Sequence, residues 1–168
     1  NKYGYKKILR PKNLSKPDTK HLYVLRHALK ELNKIRIKPE ILVVLLANAP
    51  IIKKKWIDDC ISILKNNKNI TSVVPVVKNN DNHPFRAKKN VKGFLKSYIK
   101  KNDASSNRQD LDSSYFLCHN FWVIKTREIF KNEGDNPWNF MGKKVKSYEI
   151  KNSIDIHIRE DLEIAKIF

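Results

Sequence analysis

The 168 residues are poor in glycine, cysteine and acidic side chains, of which the chain has four, two and 17. The cysteines, Cys60 and Cys118, are too few for a disulfide scaffold and fit a reducing cytoplasm. No apolar run approaches the roughly 20 residues of a membrane-spanning helix, and residues 1–7 lack the apolar stretch of a signal peptide. These absences predict a cytoplasmic protein that does not enter a membrane.

Positive charge is what the chain has in excess. Its 35 lysine and arginine residues give a formal net charge of +18. They are scattered over nearly every segment, and the longest run is Lys53 to Lys55. No RNA-recognition signature, zinc-ligand spacing or clear helix-turn-helix accompanies them, so the pattern does not favour a nucleic-acid partner. A basic nucleic-acid-binding protein stays open as an alternative, and the same positive field suits phosphorylated or acidic small substrates.

Residues 18–77 alternate between helical and strand patterns. Asp18 and Thr19 are suitable caps for a first helix. The continuous apolar run 41–46 predicts a central strand buried on both faces. A second helix leads to a strand at 72–77, where Pro75 indicates a bulge or an edge. This alternation predicts an α/β fold of three layers, with a mostly parallel sheet between helices. The apolar face of the first helix comprises Leu22, Leu25, Ala28, Leu29 and Leu32.

The rest of the chain leaves this alternation and then returns to it. Residues 78–108 are polar and basic with irregular apolar positions, which indicates an arm or hairpin outside the sheet. Further strands are predicted at 115–124, 145–150 and 154–158, with helices at 126–130 and at the end of the chain. At this length, and without a long linker, a single domain is expected.

The strand predicted at 154–158 carries the most informative pattern. Its isoleucines alternate with Asp155 and His157, so both polar side chains should point the same way. Ligands of open α/β sheets bind at the edge where the strands end. A carboxylate and an imidazole two residues apart can hold a divalent ion there. The alternative is that both side chains simply face solvent.

Four segments, taken in chain order, resemble the motifs of one enzyme family. The segments are Arg10-Pro-Lys-Asn-Leu-Ser-Lys-Pro-Asp18 with the later His27-Ala-Leu29, Val43-Val-Leu-Leu-Ala-Asn-Ala-Pro50, His83-Pro-Phe-Arg86 with Arg108-Gln-Asp-Leu111 and Tyr115, and Ile154-Asp-Ile-His157. Over nearly the whole chain they resemble the acylneuraminate cytidylyltransferase family. These enzymes make CMP-sialic acid and related CMP-nonulosonates.

The resemblance implies a fold, an activity and an assembly. It implies one nucleotide-diphospho-sugar transferase-like (Rossmann-like) domain over 1–168 that transfers CMP from CTP to an acidic nonulosonic sugar and releases pyrophosphate. It also implies Mg²⁺ or Mn²⁺, and a homodimer with 83–107 as a dimerisation arm. The family's Gly-Gly-Ser-Lys-Gly loop, which holds the CTP phosphates, has no counterpart, so we expect the chain to begin after that loop. A relative without catalysis stays open as an alternative.

The resemblance also implies site residues. Asp155 and His157 would be catalytic and would hold the metal, although the family has a second aspartate where this chain has His157. Each further candidate also has a structural explanation: a surface arginine, a turn-forming asparagine, solvated charges, or aromatic side chains in the core. The implied substrate-binding residues are Arg10, Asn48, His83, Arg86, Arg108, Gln109, Tyr115 and Phe121.

Overall fold

The computed structural model describes residues 4–100 and 105–167. Contacts divide the chain into two compact units. The first unit comprises the chain up to Val44 together with Ile57–Val73 and Trp122–Lys146. The second comprises Leu45–Trp56, Val74–Phe121 and the chain from Ser147 onwards. The single domain expected from chain length stays a prediction.

The described residues form a mixed α/β fold. Its helices are α1 (His21–Lys34), α2 (Lys54–Asn66), α3 (Thr126–Lys131) and α4 (Arg159–Ala165). Its strands are β1 (Ile41–Leu45), β2 (Ser72–Lys78), β3 (Lys88–Val91), β4 (Phe94–Ser97), β5 (Tyr115–Leu117), β6 (Phe121–Lys125) and β7 (Val145–Glu149). Short 3₁₀ turns lie at Lys12–Leu14, Pro84–Arg86, Arg108–Asp110 and Asn139–Met141. None of the helices in this part of the chain is both long enough and apolar enough to span a bilayer.

Helix α1 buries the face that its sequence predicts but begins later than predicted. Leu22, Leu25 and Leu29 are buried, as the spacing of apolar residues requires. The helix is preceded by Lys20, whose side chain makes no capping bond, so the predicted caps at Asp18 and Thr19 are wrong. Before the helix the backbone forms a turn, in which the Thr19 amide donates to the Lys16 carbonyl at 3.1 Å.

The core of the first unit lies along β6. Trp122, Val123 and Ile124 are fully buried there. The Trp122 ring meets that of Phe140 at 5.8 Å and that of His21 at 5.4 Å. Helix α2 adds two further fully buried side chains, Cys60 and Leu64.

Strand β1 forms where predicted but is not central. Strand β6 lies between β1 and β2, and β1 ends the order of the described strands. Its side chains are half-buried, and Leu45 is 57% exposed. The predicted burial on both faces is therefore wrong. A continuous apolar run indicates that a strand is hydrophobic, but it does not show which strands lie beside it. The neighbour of β1 is β6, which comes about 75 residues later in the chain.

Strand β2 is the buried strand, and its pairings with β5 and β6 are antiparallel. Val73 pairs with Val123 of β6, and Val76 pairs with Leu117 of β5, so the mostly parallel pairing expected from the alternation is not found here. The predicted strand 115–124 is two strands, because the returning chain loops out over residues 118–120. Pro75 lies opposite this interruption and accepts a 2.9 Å bond from the Cys118 amide, but it has no N–H to return one.

The predicted arm contains a β-hairpin. Strands β3 and β4 pair in register across a two-residue turn at Lys92 and Gly93, both with positive φ, the geometry that tight hairpins favour. Asn90 Oδ1 accepts a 2.9 Å bond from the Gly93 amide. Phe94 and Leu95 are 73% and 74% exposed. Residues 101–104 of the predicted arm (83–107) lie outside the described residues, and its role in a dimer stays a prediction.

The C-terminal segment corrects one more prediction. Strand β7 and helix α4 form as predicted, but residues 154–158 are not a strand. They run past residue 48 as half-extended coil, in which the Ile156 amide donates to the Asn48 carbonyl at 2.8 Å. Ile154 and Ile156 are only half-buried, and Ile158 is 58% exposed. This apolar side is too exposed to hold the segment in a sheet.

Candidate active site

Asp155 lies between two imidazoles in the second unit. Its Oδ2 is 3.6 Å from His119 Nδ1 and 3.8 Å from His157 Nε2. The carboxylate is 28% exposed. Its other oxygen, Oδ1, is buried and has no hydrogen-bond partner among the described residues. A buried carboxylate oxygen without a donor is costly unless a ligand supplies one, so this position is suited to binding or chemistry.

A buried amide holds this arrangement together. Asn120 is fully buried. Its Nδ2 donates to the Ile51 carbonyl at 2.7 Å, and its Oδ1 accepts from the Ser153 hydroxyl at 2.7 Å. One side chain thus connects three segments: the loop after β1, the interruption between β5 and β6, and the coil that carries Asp155. It sets the positions of His119 and Asp155 relative to each other.

The start of α4 fixes His157. Asp161 Oδ2 accepts backbone N–H bonds from His157 at 2.9 Å and Ile158 at 3.1 Å. These two bonds lower the pKa of Asp161 below its usual value. A carboxylate in the first turn of a helix that accepts these bonds stabilises the helix start. The His157 side chain remains exposed, at 70%, so the helix positions its backbone while leaving the ring accessible.

Cys118 lies next to this site but is not its nucleophile. Burial raises the pKa of its thiol, and the negative charge of Asp155 raises it too, while hydrogen bonds from Ser153 and the Val77 backbone act in the opposite direction. The thiolate is the reactive and metal-binding form of cysteine. Cys118 therefore contributes packing here rather than chemistry.

A second polar group lies along a cleft of about 630 Å³ in the same unit. Asp81 pairs with Arg108 at 3.1 Å and with Arg86 at 3.5 Å. All three side chains are exposed, and exposed pairs of this kind contribute little stability. Both guanidinium groups can therefore exchange Asp81 for an anionic ligand at little cost. The residues that line the cleft are Lys78, Asn79, Asn80, Asp81, Arg108, Gln109 and Glu149.

The other predicted site residues do not all lie beside Asp155 or in this cleft. His83 is 6% exposed, stacks near Phe85 and accepts the Phe85 amide on Nδ1 at 3.2 Å, so it caps the short turn that carries Arg86.

Tyr115 is half-exposed in β5. Phe121 is fully buried at the start of β6 and packs in the core. Arg10 is exposed in the first unit, and Asn48 meets the site through its carbonyl.

Sequence reasoning missed His119, Asn120 and Ser153. A signal for the first two was present, because His119 and Asn120 are adjacent polar residues inside an otherwise apolar run from 115 to 124. Such a pair is inconsistent with a continuous buried strand and indicates an interruption. Ser153 carries no comparable signal, since its role depends on Asn120, which is 33 residues away in the chain.

The donor atoms fit a metal only in part. No group of three or more His, Cys, Asp or Glu side chains within 4–100 and 105–167 is arranged to hold an ion. Magnesium in nucleotide-dependent enzymes is commonly held by one or two carboxylates together with substrate phosphates. Asp155, with its unpartnered buried oxygen, fits that mode. His157 does not strengthen it, because Mg²⁺ prefers oxygen ligands.

Comparison with known proteins identifies the fold. No family model and no curated protein matches the chain. Among solved structures, it is similar to CMP:2-keto-3-deoxy-manno-octonic acid synthetase in complex with CTP, with a TM-score of 0.56 and 8% sequence identity. The fold therefore resembles that of this synthetase. The match covers 85% of this chain and 66% of that one, so this chain spans just under two thirds of the synthetase's length.

Proposed function

We propose that the protein is a cytidylyltransferase that transfers CMP from CTP to an acidic nonulosonic or related 2-keto-3-deoxy sugar. The proposal depends chiefly on Asp155, a carboxylate between two imidazoles with one buried oxygen left unpartnered. It is supported by the likeness to a CMP-sugar synthetase solved with CTP. It also agrees with the family motifs that contain Asp155, Arg86 and Arg108.

The reaction joins two anions, and the positive side chains suit both. The anomeric hydroxyl oxygen of the sugar attacks the α-phosphorus of CTP, the bond to pyrophosphate breaks, and the hydroxyl proton goes to a base. We assign that base to the Asp155–His119 pair, in which the carboxylate orients the imidazole. Arg86 and Arg108 would bind the sugar carboxylate or the phosphates, because a guanidinium matches either group.

A divalent ion, Mg²⁺ or Mn²⁺, belongs to this proposal. When bound, it would offset phosphate charge and orient the triphosphate. Asp155 is the residue that would hold it, through the oxygen that lacks a protein donor. Gln109 and Lys78 line the cleft beside Arg108 and would contact sugar hydroxyls and phosphate. Tyr115, half-exposed in β5, would border an acyl group of the sugar. Cytosol, where CTP is available, is the proposed location.

The experiment is a direct assay of the purified protein. The protein is incubated with CTP, Mg²⁺ or Mn²⁺, and either N-acetylneuraminic acid or 3-deoxy-manno-octulosonic acid. Pyrophosphate release and the mass of the CMP-sugar are measured, with ATP, GTP and UTP as nucleotide controls. CMP-sugar formed from CTP with either acid supports the proposal, and the preferred acid identifies the sugar class.

Two outcomes would contradict it. Binding of CTP in calorimetry without CMP-sugar from any acid would indicate a relative without catalysis. No CTP binding and no product would remove the nucleotidyltransferase function altogether. His119→Gln separates the proposed base from a structural role: it should lower kcat while leaving KM for CTP and the melting temperature nearly unchanged.

A further inference from the structure

A second cleft, of about 690 Å³, lies wholly in the first unit. It is bordered by the start of β1, the end of α2 and the start of α3. None of the residues proposed above for CTP or sugar lines it. Its volume is within the range of sites that bind small molecules and cofactors, about 300–1,000 Å³. An isolated inorganic ion would leave most of it unfilled.

Positive charge predominates among the charged residues of this cleft. Lys65, Lys68, Lys125 and Arg127 line it, against the single carboxylate of Glu40. Within the described residues, Lys65 and Lys68 have no ion-pair partner. Two of the cations are held in place. Lys125 Nζ donates to the carbonyls of Asn67 at 3.1 Å and Lys68 at 2.9 Å, and Arg127 Nε donates to Glu128 Oε1 at 2.9 Å.

The surroundings of Lys125 disfavour its charged form. Burial lowers the pKa of this lysine, and the neighbouring Arg127 lowers it further, whereas Glu128 acts in the opposite direction. An anion in the cleft would relieve this repulsion. The arrangement therefore matches a ligand with negative charge near Lys65, Lys68 and Arg127.

The rest of the lining is mostly apolar, with two polar groups. Its apolar members include Ile41, Leu64 and the half-exposed Phe130 ring. Thr126 Oγ1 is buried and has no hydrogen-bond partner among the described residues. A buried hydroxyl without a partner is the kind of group that a ligand satisfies. With the Glu40 carboxylate, it offers hydrogen bonds to the hydroxyls of a bound molecule.

We propose that this cleft binds a nucleoside phosphate. The phosphates would lie on Lys65, Lys68 and Arg127, the ribose hydroxyls near Glu40 and Thr126, and the base against Phe130. Each part of the ligand corresponds to a group in the cleft: cations for phosphate, a carboxylate for sugar hydroxyls, and an aromatic ring for stacking. The site does not depend on the proposed transferase activity, because it shares no residue with the candidate active site.

The test measures binding of ATP, CTP and inorganic pyrophosphate by calorimetry, with NMR mapping of the backbone amides. Lys65→Gln/Lys68→Gln should weaken ATP binding by at least about 10-fold, since each lysine would lose a charge-assisted contact. The matched control is Lys16→Gln/Lys146→Gln, which removes the same charge from exposed positions outside the cleft. The control should change affinity by less than about 2-fold. Phe130→Ala should weaken ATP but not pyrophosphate.

The NMR shifts induced by ATP are expected at Thr126, Lys125 and Ile41. Equal weakening by the control pair would overturn the proposal, because it would indicate general attraction to a basic protein. Equal affinity for ATP and pyrophosphate, unaffected by Phe130→Ala, would also overturn it, as would shifts confined to the region of His119 and Asp155. The absence of ATP and CTP binding at millimolar concentration would exclude the site.

Discussion

The Ser153 hydroxyl donates a 2.7 Å hydrogen bond to Asn120 Oδ1. This bond joins the coil that carries Asp155 to the interruption that carries His119. Asn120 is fully buried, so its oxygen has no access to water if Ser153 is removed. The geometry of the candidate site therefore depends on two residues that need not touch a substrate.

We expect Ser153→Ala to lower the free energy of unfolding by about 1 kcal/mol, since it leaves a buried amide oxygen unpaired. The measurement is urea denaturation. Ser15→Ala, which removes an exposed hydroxyl bond to Pro11, is the matched control and should change stability by less than about 0.5 kcal/mol. Equal effects of the two substitutions would show that the Asn120 bond is not important to the fold.

Asp155→Asn should reduce CMP-sugar formation at least ~100-fold while the circular dichroism spectrum and melting temperature stay close to wild type. The amide keeps the size of the side chain but loses the charge. His157→Asp adds a carboxylate where the family has one, so Mg²⁺-dependent activity should hold or rise. Asp135→Asn, at an exposed position, is the control. A wild-type rate for Asp155→Asn would make Asp155 a structural residue only.

The bonds to Asp161 should depend on pH in a defined direction. Backbone hydrogen bonds from His157 and Ile158 lower the pKa of this carboxyl in the folded protein. Its contribution to stability is therefore present above the unfolded value of about 4 and is lost as pH falls through the lower folded pKa. NMR titration should show the His157 and Ile158 amides moving upfield on acidification. Asp161→Asn should abolish that titration, and persistence of the shifts in the variant would contradict the assignment.

Cys60 should be unreactive in the folded protein. Burial, and to a smaller extent the neighbouring Asp59 charge, raise the pKa of its thiol to about 12. Ellman's reagent at pH 8 should react slowly in buffer and fully in urea. Because the folded pKa lies above the unfolded one, this thiol stabilises the fold below about pH 8.5, and that contribution is lost as pH rises towards 12. Stability should therefore fall more steeply above pH 9 in wild type than in Cys60→Ala.

The hairpin should hold a homodimer together. Phe94 and Leu95 are almost three-quarters exposed on β4, and an exposed apolar pair of this kind marks an interaction surface. Wild-type protein should run as a dimer in light scattering at about 10 µM, a concentration at which standard interfaces are occupied. Deletion of 88–97, or Phe94→Ser/Leu95→Ser, should give monomers. A wild-type protein that runs as a monomer would contradict the proposed role of the hairpin in dimerisation.

Sequence patterns within a few residues of each other were sufficient to predict the helices and strands that depend only on such local patterns. The 3.6-residue spacing of Leu22, Leu25 and Leu29 predicted the buried face of α1, and apolar runs located β1 and β2. Asp155 Oδ2 and His157 Nε2 do lie 3.8 Å apart, but in coil and not on the strand whose alternation predicted that both side chains point the same way. In each case the determining interactions lie within a few residues along the chain.

Only the tertiary structure decided the rest. That β6 comes between β1 and β2 depends on a segment that returns after an excursion, so no window around residues 41–46 could show it. The break at 118–120 depends on the missing N–H of Pro75, which lies opposite it on β2. The partnership of His119 with Asp155 depends in turn on that break and on Asn120. The sequence by itself determined most of the helices and strands, but not the coil at 154–158 or the site residues His119, Asn120 and Ser153. Which segments lie next to each other was decided by contacts between residues far apart in the chain. Those contacts form only when the chain folds and its buried polar groups find hydrogen-bond partners.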